Sequence, residues 1–302
     1  CIYFETGDNS KNVIILLAHH LVTDFVSWQI ILNAYTEAIH NNKIITQSTK
    51  TASIRTWGNY LFDLVNSKTI TDELDYWKDQ ITYKTILPKD FENSLPIVEK
   101  DVSVVNFEID NTITNNLISN ANKAYNTKID DLLLTALIDT LSIWTNNSNK
   151  ITLAMERHGR ESINTTIDLS NTIGWFTAFF PRTFNFESTT DIASKIVATK
   201  EQMRQIPNGG IGYGALRYLT SKLGNIEYPE IVFNYLGKQT TGENNIEFLS
   251  KNTRHPFSER HYYIEINALI KNGILGLSWS YSNKIHKAET IKILIDNFNE
   301  SL

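Results

Sequence analysis

His19 and His20 stand side by side in the segment His19-His20-Leu21-Val22-Thr23-Asp24-Phe25-Val26-Ser27-Trp28. An imidazole, with an ordinary pKa of about 6.5, can take and return a proton near neutrality. Asp24 has two readings: it orients a histidine, or it caps the helix that contains Trp28, since aspartate is a favoured N-cap. If extended geometry continued through the pair, adjacent side chains would point to opposite sides, so only one histidine faces a given cavity. A lone histidine at a strand end is more commonly a hydrogen-bonded structural residue than a catalyst, so the other motifs decide the matter.

Four further segments place polar or glycine residues at element ends: Glu156-Arg157-His158-Gly159-Arg160-Glu161, Gly174-Trp175-Phe176-Thr177 after the turn Asp168-Leu169-Ser170, Pro207-Asn208-Gly209-Gly210-Ile211-Gly212-Tyr213-Gly214, and Phe233-Asn234-Tyr235-Leu236-Gly237. The third permits positive φ and close approach of backbone to a ligand. It is not a phosphate loop, because the lysine and Ser/Thr of that motif are missing. Each segment alone has a plain structural explanation.

These residues need elements to hold them. The apolar run from Val13 to Ala18 predicts a buried strand, and Val26, Ile30, Ile31, Leu32, Tyr35, Ala38 and Ile39 recur at helical spacing behind it. Helices are expected around Ser53 to Val65 and from Thr71 to Ile81, the latter with Thr71 as cap and Asp72 and Glu73 in its first turn. The stretch from Lys84 to Lys100, with Pro88 and Pro96, reads as a linker. Beyond it come a strand over Val102 to Ile109, a helix over Ile129 to Trp144, and a short strand over Ile151 to Met155 ending at Glu156. Ile173 to Phe184 predicts an aromatic strand whose Pro181 marks an edge or a bulge. Ile192 to Ile206 is helical and Ile231 to Tyr235 is a strand. Asn272-Gly273 between two alternating runs, Ile264 to Ile270 and Ile274 to Tyr281, is a hairpin signal, with a closing helix from His286 to Asn299. Long helices mixed with strands argue for α/β sandwich lobes.

The 302 residues suffice for one large domain or two lobes with separate cores. A formal net charge of −5 with no basic block gives no nucleic-acid footprint. No apolar stretch reaches the roughly 20 residues of a membrane helix. Cys1 is the sole cysteine, so an internal disulfide and a cysteine-rich metal site are excluded, and a cytoplasmic setting is expected. No signal peptide is visible, and the chain, opening on Cys1 rather than methionine, reads as a piece of a longer polypeptide.

Taken together and in this order, the motifs resemble the epimerization domains of nonribosomal peptide synthetases, within the condensation-domain superfamily. The family's HHxxxDGxSW reads as His19 to Trp28, EGHGRE as Glu156 to Glu161, and GWFT as Gly174 to Thr177, while PNGGxGYG and FNYLG are matched in full. The resemblance implies two chloramphenicol-acetyltransferase-like lobes in a V-shaped pseudo-dimer. The partial N-terminal lobe would span 1–98 and the C-terminal lobe 99–302, and an incomplete first lobe would leave this stretch unable to fold alone. A tunnel between the lobes would admit the phosphopantetheine arm of a peptidyl carrier protein. Other synthetase domains are further implied partners, with no nucleic acid, membrane or metal involved.

The implied reaction inverts Cα of an aminoacyl or peptidyl thioester without any cofactor held by the domain itself. Family positions assign proton transfer to His20 and Glu156, with Asn234 and Tyr235 at the active site. His19, Asp24, Arg160 and His158 would support the site, Asp24 paired with Arg160, and Phe25, Ser27, Trp175, Gly212 and Tyr213 would line the tunnel. Two departures stand out: Phe25 replaces the glycine after the motif aspartate, and Arg157 replaces the glycine of EGHGRE. Two competing readings are a condensation domain using His20 to assist amide formation, and a noncatalytic module that only docks a carrier protein. The absence of an Asp-Phe-Gly-Trp-Gly segment favours epimerization over condensation.

Overall fold

Alternating strands and amphipathic helices resolve into two compact units in a computed structural model, which describes residues 1–5, 7, 12–41, 50–92, 96–146, 148–161, 163, 166–186, 191–224, 226–239 and 254–302. The first unit comprises residues 1–60 and 160–177, the second 61–159 and 178–302.

In the first unit, β1 (Ile2–Phe4) and β2 (Val13–Ile15) pair antiparallel. A single turn of 3-10 helix, His20–Val22, leads into α1 (Phe25–His40). The buried strand predicted over Val13 to Ala18 is corrected: β2 is three residues long and Val13, Ile14, Leu16 and Leu17 are exposed. An apolar run records the free energy of transfer, and a two-stranded ribbon by itself cannot bury both faces. Residues 51–52 are tied to the later segment of the same unit, Ala52 N–H donating to Asp168 (2.8 Å) and Thr172 Oγ1 to the Ala52 carbonyl (2.7 Å). Next comes α2 (Ile54–Leu64).

The second unit begins with two short helices, α3 (Lys68–Thr71) and α4 (Leu74–Thr82), where one helix capped by Thr71 was expected. Thr71 instead closes α3, its hydroxyl donating back to the Ser67 carbonyl (3.0 Å), and Glu73 turns inward between the helices. In the linker expected over Lys84 to Lys100, residues 84–92 and 96–97 form neither helix nor strand, in keeping with Pro88 and Pro96, and Glu99–Asp101 is a 3-10 turn, but the stretch is anchored. Leu87 and Ile97 are buried, and the Leu87 N–H donates to Glu230 (2.8 Å).

The remaining elements are β3 (Val102–Glu108), α5 (Asn111–Asn116), α6 (Asn122–Tyr125), α7 (Ile129–Trp144), β4 (Lys150–Arg157), β5 (Ala178–Asn185), α8 (Ile192–Arg204), α9 (Ile211–Tyr218), β6 (Ile231–Gln239), β7 (Ile264–Lys271), β8 (Ile274–Ser282) and α10 (Ala288–Ser301). The strand expected over Ile173 to Phe184 starts only at Ala178, because the Gly174 to Thr177 segment serves the first unit.

Six strands form one sheet in the order β3-β8-β7-β6-β4-β5, with β4–β6 and β6–β7 parallel and the other pairs antiparallel. Pro181 sits on the edge strand β5, where its missing N–H costs no ladder bond. Met155, Phe233, Ile266 and Trp279 lie in register on one face of the sheet, and Trp279 packs edge-on against Phe298 of α10. Leu133, Leu134, Leu137 and Leu141 of α7 are wholly buried in this layer. Alternation therefore sends Glu156, Asn234, Asn267 and Ser278 to the opposite face. No helix among the described residues is long and apolar enough to cross a membrane.

Candidate active site

The histidine motif belongs to the first unit. His19 caps the 3-10 turn, its Nδ1 accepting the Leu21 N–H (3.1 Å), so its ring is occupied with backbone. His20, one residue into the turn, is exposed and meets the half-exposed Trp175 edge-on, with ring centroids 5.2 Å apart. A 3-10 turn rather than continued strand thus separates the two imidazoles.

Asp24, 3% exposed, is where the motif is fastened. Its Oδ1 caps α1 by accepting the Ser27 N–H (2.7 Å) and hydroxyl (2.7 Å), and Arg160 holds both oxygens (2.6 and 3.0 Å). The Phe176 N–H adds a bond to Oδ2 (3.1 Å), and the Arg160 guanidinium lies 4.3 Å over the Phe176 ring. Ser27 Oγ lies 2.9 Å from the Gly174 carbonyl oxygen and accepts the Gly174 N–H (3.1 Å). Burial alone would push the Asp24 carboxyl up. The bonds from Arg160 and from the Ser27 amide and hydroxyl outweigh it and hold the group below its ordinary value. Asp24, Ser27, Arg160, Gly174 and Phe176 therefore form one buried polar knot that fixes the segment carrying Trp175 beside His20. Phe25 opens α1 directly after the capping aspartate, half-buried.

Glu156 belongs to the second unit, near the end of β4. Asn234 of β6 donates its amide to Oε2 (2.8 Å). Burial, reinforced by the negative charge of Glu265 and only partly offset by Arg254, pushes the Glu156 carboxyl up to about 7. A carboxyl poised there exchanges protons at neutral pH in either direction. Arg157 ends the strand half-buried, and His158 is exposed just beyond it.

Asn234 and Tyr235 are neighbours on β6 and so project to opposite faces of the sheet. Asn234 joins Glu156. Tyr235 faces the helical layer, where burial and the Asp130 charge at the start of α7 push its hydroxyl up to about 12. The glycine-tyrosine run serves a packing role within its unit. Asn208, Gly209 and Gly210 all take positive φ (45°, 62° and 91°). Asn208 donates to Glu73 Oε1 (2.6 Å) and Trp77 Nε1 to Glu73 Oε2 (2.7 Å). A Cβ on Gly212 would overlap that carboxylate. Tyr213 is buried, its ring against Trp77 and its hydroxyl accepting from Arg217 (2.7 Å).

Three contributors gave no signal in the sequence. Glu73 is a buried carboxylate pushed up by burial despite its two donors. Tyr262, stacked near Phe179 (5.7 Å), is within the electrostatic reach of Glu156, and burial pushes its hydroxyl up as well. Glu265 is a sheet-face carboxylate held by arginines. Only proximity in the fold makes these three notable.

The chain belongs to the condensation-domain family, whose sequence pattern matches residues 3–302. The mixed α/β fold and the kinship expected from the motifs are those found. Among its relatives, the chain is 33% identical to gramicidin S synthase 1 of Brevibacillus brevis over 99% of its own length, and 34% identical to tyrocidine synthase 2 of Brevibacillus parabrevis, again over 99%. It spans 29% and 9% of those two proteins. Among solved structures, the epimerization domain from the third module of tyrocidine synthetase B superposes with a TM-score of 0.83 at 33% identity, covering 94% of this chain and 66% of that one. The condensation domain of the monacolin K polyketide synthase shares the fold, with a TM-score of 0.70 at 15% identity, covering 94% of this chain and 67% of that one.

Proposed function

We propose that the chain is an epimerization domain of a nonribosomal peptide synthetase, inverting Cα of an aminoacyl or peptidyl thioester carried on the phosphopantetheine arm of a carrier protein. The observation that carries this reading is the Glu156 carboxyl, poised at about 7 and held by Asn234. The chain's similarity to the tyrocidine synthetase epimerization domain supports it. A thioester acidifies its Cα–H. A base takes that proton, the electron pair moves onto the thioester oxygen to give an enolate, and an acid delivers a proton to the opposite face, with Glu156 supplying one of the two transfers. Amide formation, the alternative within the family, removes no proton from Cα, which is what the deuterium test reads.

The test loads the domain, with its carrier, with L-aminoacyl and L-peptidyl thioesters in D₂O and follows deuterium at Cα together with the D-isomer. Deuterium in a D-product, reduced about 10²- to 10⁴-fold in Glu156→Gln and in His20→Ala, is the expected result. Amide formation between two loaded carriers without Cα exchange would overturn it in favour of condensation. Carrier binding with neither reaction would favour the docking module, with Phe25→Gly as the variant to try for rescue.

A further inference from the structure

Glu156 has two unlike neighbours on its face of the sheet. On β6, Asn234 donates its amide to the carboxylate (2.8 Å), and the polar row continues to Asn267, in register on β7. On β5, Phe179 stands directly opposite Glu156 in the antiparallel ladder, so the two Cβ atoms share a face at about 4.5–5.5 Å. The ring of Tyr262, in the segment leading into β7, tilts against Phe179 with centroids 5.7 Å apart. Tyr228 meets Tyr262 edge-on at 5.9 Å, and is itself fixed by His261 stacked on it (4.8 Å) and by the Arg217 guanidinium over it (4.3 Å). Two residues along from Phe179, the same face continues with Pro181 opposite Ala154, both buried. The other face is different in kind: Phe180, Phe184 and Phe233 are shut off from solvent. Phe179 and Tyr262 remain half-buried, as do Glu156 and Asn234. Two rings with open surface beside a proton-transferring carboxylate have apolar contact still to make.

We infer that Phe179 and Tyr262 form the wall that receives the side chain on the substrate Cα, so that the domain selects residues with large apolar side chains. The inference rests on the epimerase reading, which brings Cα to Glu156. Of the substituents at Cα, the nitrogen and the thioester carbonyl can hydrogen-bond and suit the side of Asn234. The side chain is left the β5 side. Inversion carries the hydrogen from one face of the enolate to the other while the side chain stays on its own side, so one wall serves both isomers. An aspartyl side chain placed there would exchange water for two rings and meet the like charge of Glu156. The Tyr262 hydroxyl does not compete for the Cα proton, because burial pushes it up and the phenol stays neutral. Its contribution is the ring.

The experiment measures initial rates of Cα deuterium incorporation for L-phenylalanyl, L-leucyl and L-aspartyl thioesters, each on the same carrier with the full chain, and reads the ratios between them. Wild type should favour phenylalanyl and leucyl over aspartyl by at least about tenfold, since a single methylene in an apolar pocket is worth roughly 10- to 200-fold. Phe179→Ala and Tyr262→Ala should each bring the ratio toward one. Tyr262→Phe, which keeps the ring and removes only the hydroxyl, should preserve it. Rings that merely pack on each other would leave the ratio where it is, so a ratio unmoved in folded Phe179→Ala overturns the inference. If that variant fails to fold, an unmoved ratio in Tyr262→Ala overturns it instead, and so does a wild type without preference. The same series as aminoacyl pantetheine amides, which bind without appreciable exchange, gives dissociation constants by calorimetry. A binding preference lost in the alanine variants, with no Cα exchange on any thioester, would uphold the inference and overturn the epimerase reading. Cα exchange at rates indifferent to the side chain would do the reverse.

Discussion

Replacing Asp24 with alanine removes the carboxylate at which the polar knot of the first unit converges. The Arg160 side chain, 7% exposed, is left with its positive charge buried and without the Asp24 carboxylate. The Ser27 and Phe176 amides lose their acceptor and α1 loses its cap. Breaking a buried ion pair from one side costs about 3–5 kcal/mol, of which the cap alone accounts for about 1. At about 1.4 kcal/mol per factor of ten, local opening should become roughly 10²- to 4 × 10³-fold more frequent. Amide hydrogen exchange at Ser27, Gly174 and Phe176 is the suitable assay, because it reads the knot directly rather than global unfolding. Asp24→Asn keeps an oxygen for the Ser27 amide but not the charge, and should fall between wild type and Asp24→Ala. The double variant Asp24→Leu/Arg160→Met removes both charges together and should cost much less than Asp24→Ala. The carboxyl sits below its ordinary value when folded, so its contribution is present above about pH 4 and lost as pH falls through the lowered folded value. Exchange in Asp24→Ala within about twofold of wild type would refute the view that this pair fastens the motif.

Other sites give equally specific outcomes. Gly212→Ala forces a methyl into the Glu73 carboxylate and should destabilise the second unit by about 1–3 kcal/mol in a urea titration, with partial recovery when Glu73→Ala is added. His286, 1% exposed, has neither ring nitrogen partnered among the described residues, and burial pulls it down to about 4. Its neutral form is the one folding selects, so the unfolded chain takes up this proton near pH 6.5 while the folded chain resists until about 4. Stability should be full above about 6.5 and decline by up to roughly 3 kcal/mol as pH falls toward 4. His286→Phe should flatten that decline, and an unchanged pH–stability curve would show that the buried ring is not its source.

Local signals carried over well where local forces decide. The limits of α7, Ile129 and Trp144, are those its apolar spacing implied, because a buried helix must present that spacing to its sheet. Asn272 and Gly273 turn the hairpin with φ of 52° and 83°, as the dipeptide demands. Thr71 misled because a capping residue type says nothing about a competing bond, and its hydroxyl closes the preceding turn instead. The run at Val13 misled because hydrophobicity does not specify which layer covers a strand. At the site, the motif residues Asp24 and Arg160 could be named and paired from sequence. Glu73, Tyr262 and Glu265 could not, since their importance rests on neighbours far away along the chain.

The period of two along β6 also constrains how this segment can change over time. A one-residue insertion or deletion between Ile231 and Asn234 would rotate a phenol toward Glu156 and send the amide into the helical layer. Such length changes are disallowed there even where every side chain type is preserved. The register irregularity between Tyr235 and Lys238, with Gly237 at φ 93°, lies past Asn234 and already absorbs a mismatch. The strand thus divides into a stretch whose length is frozen and a following stretch whose length is open to variation, with Tyr235 at the boundary.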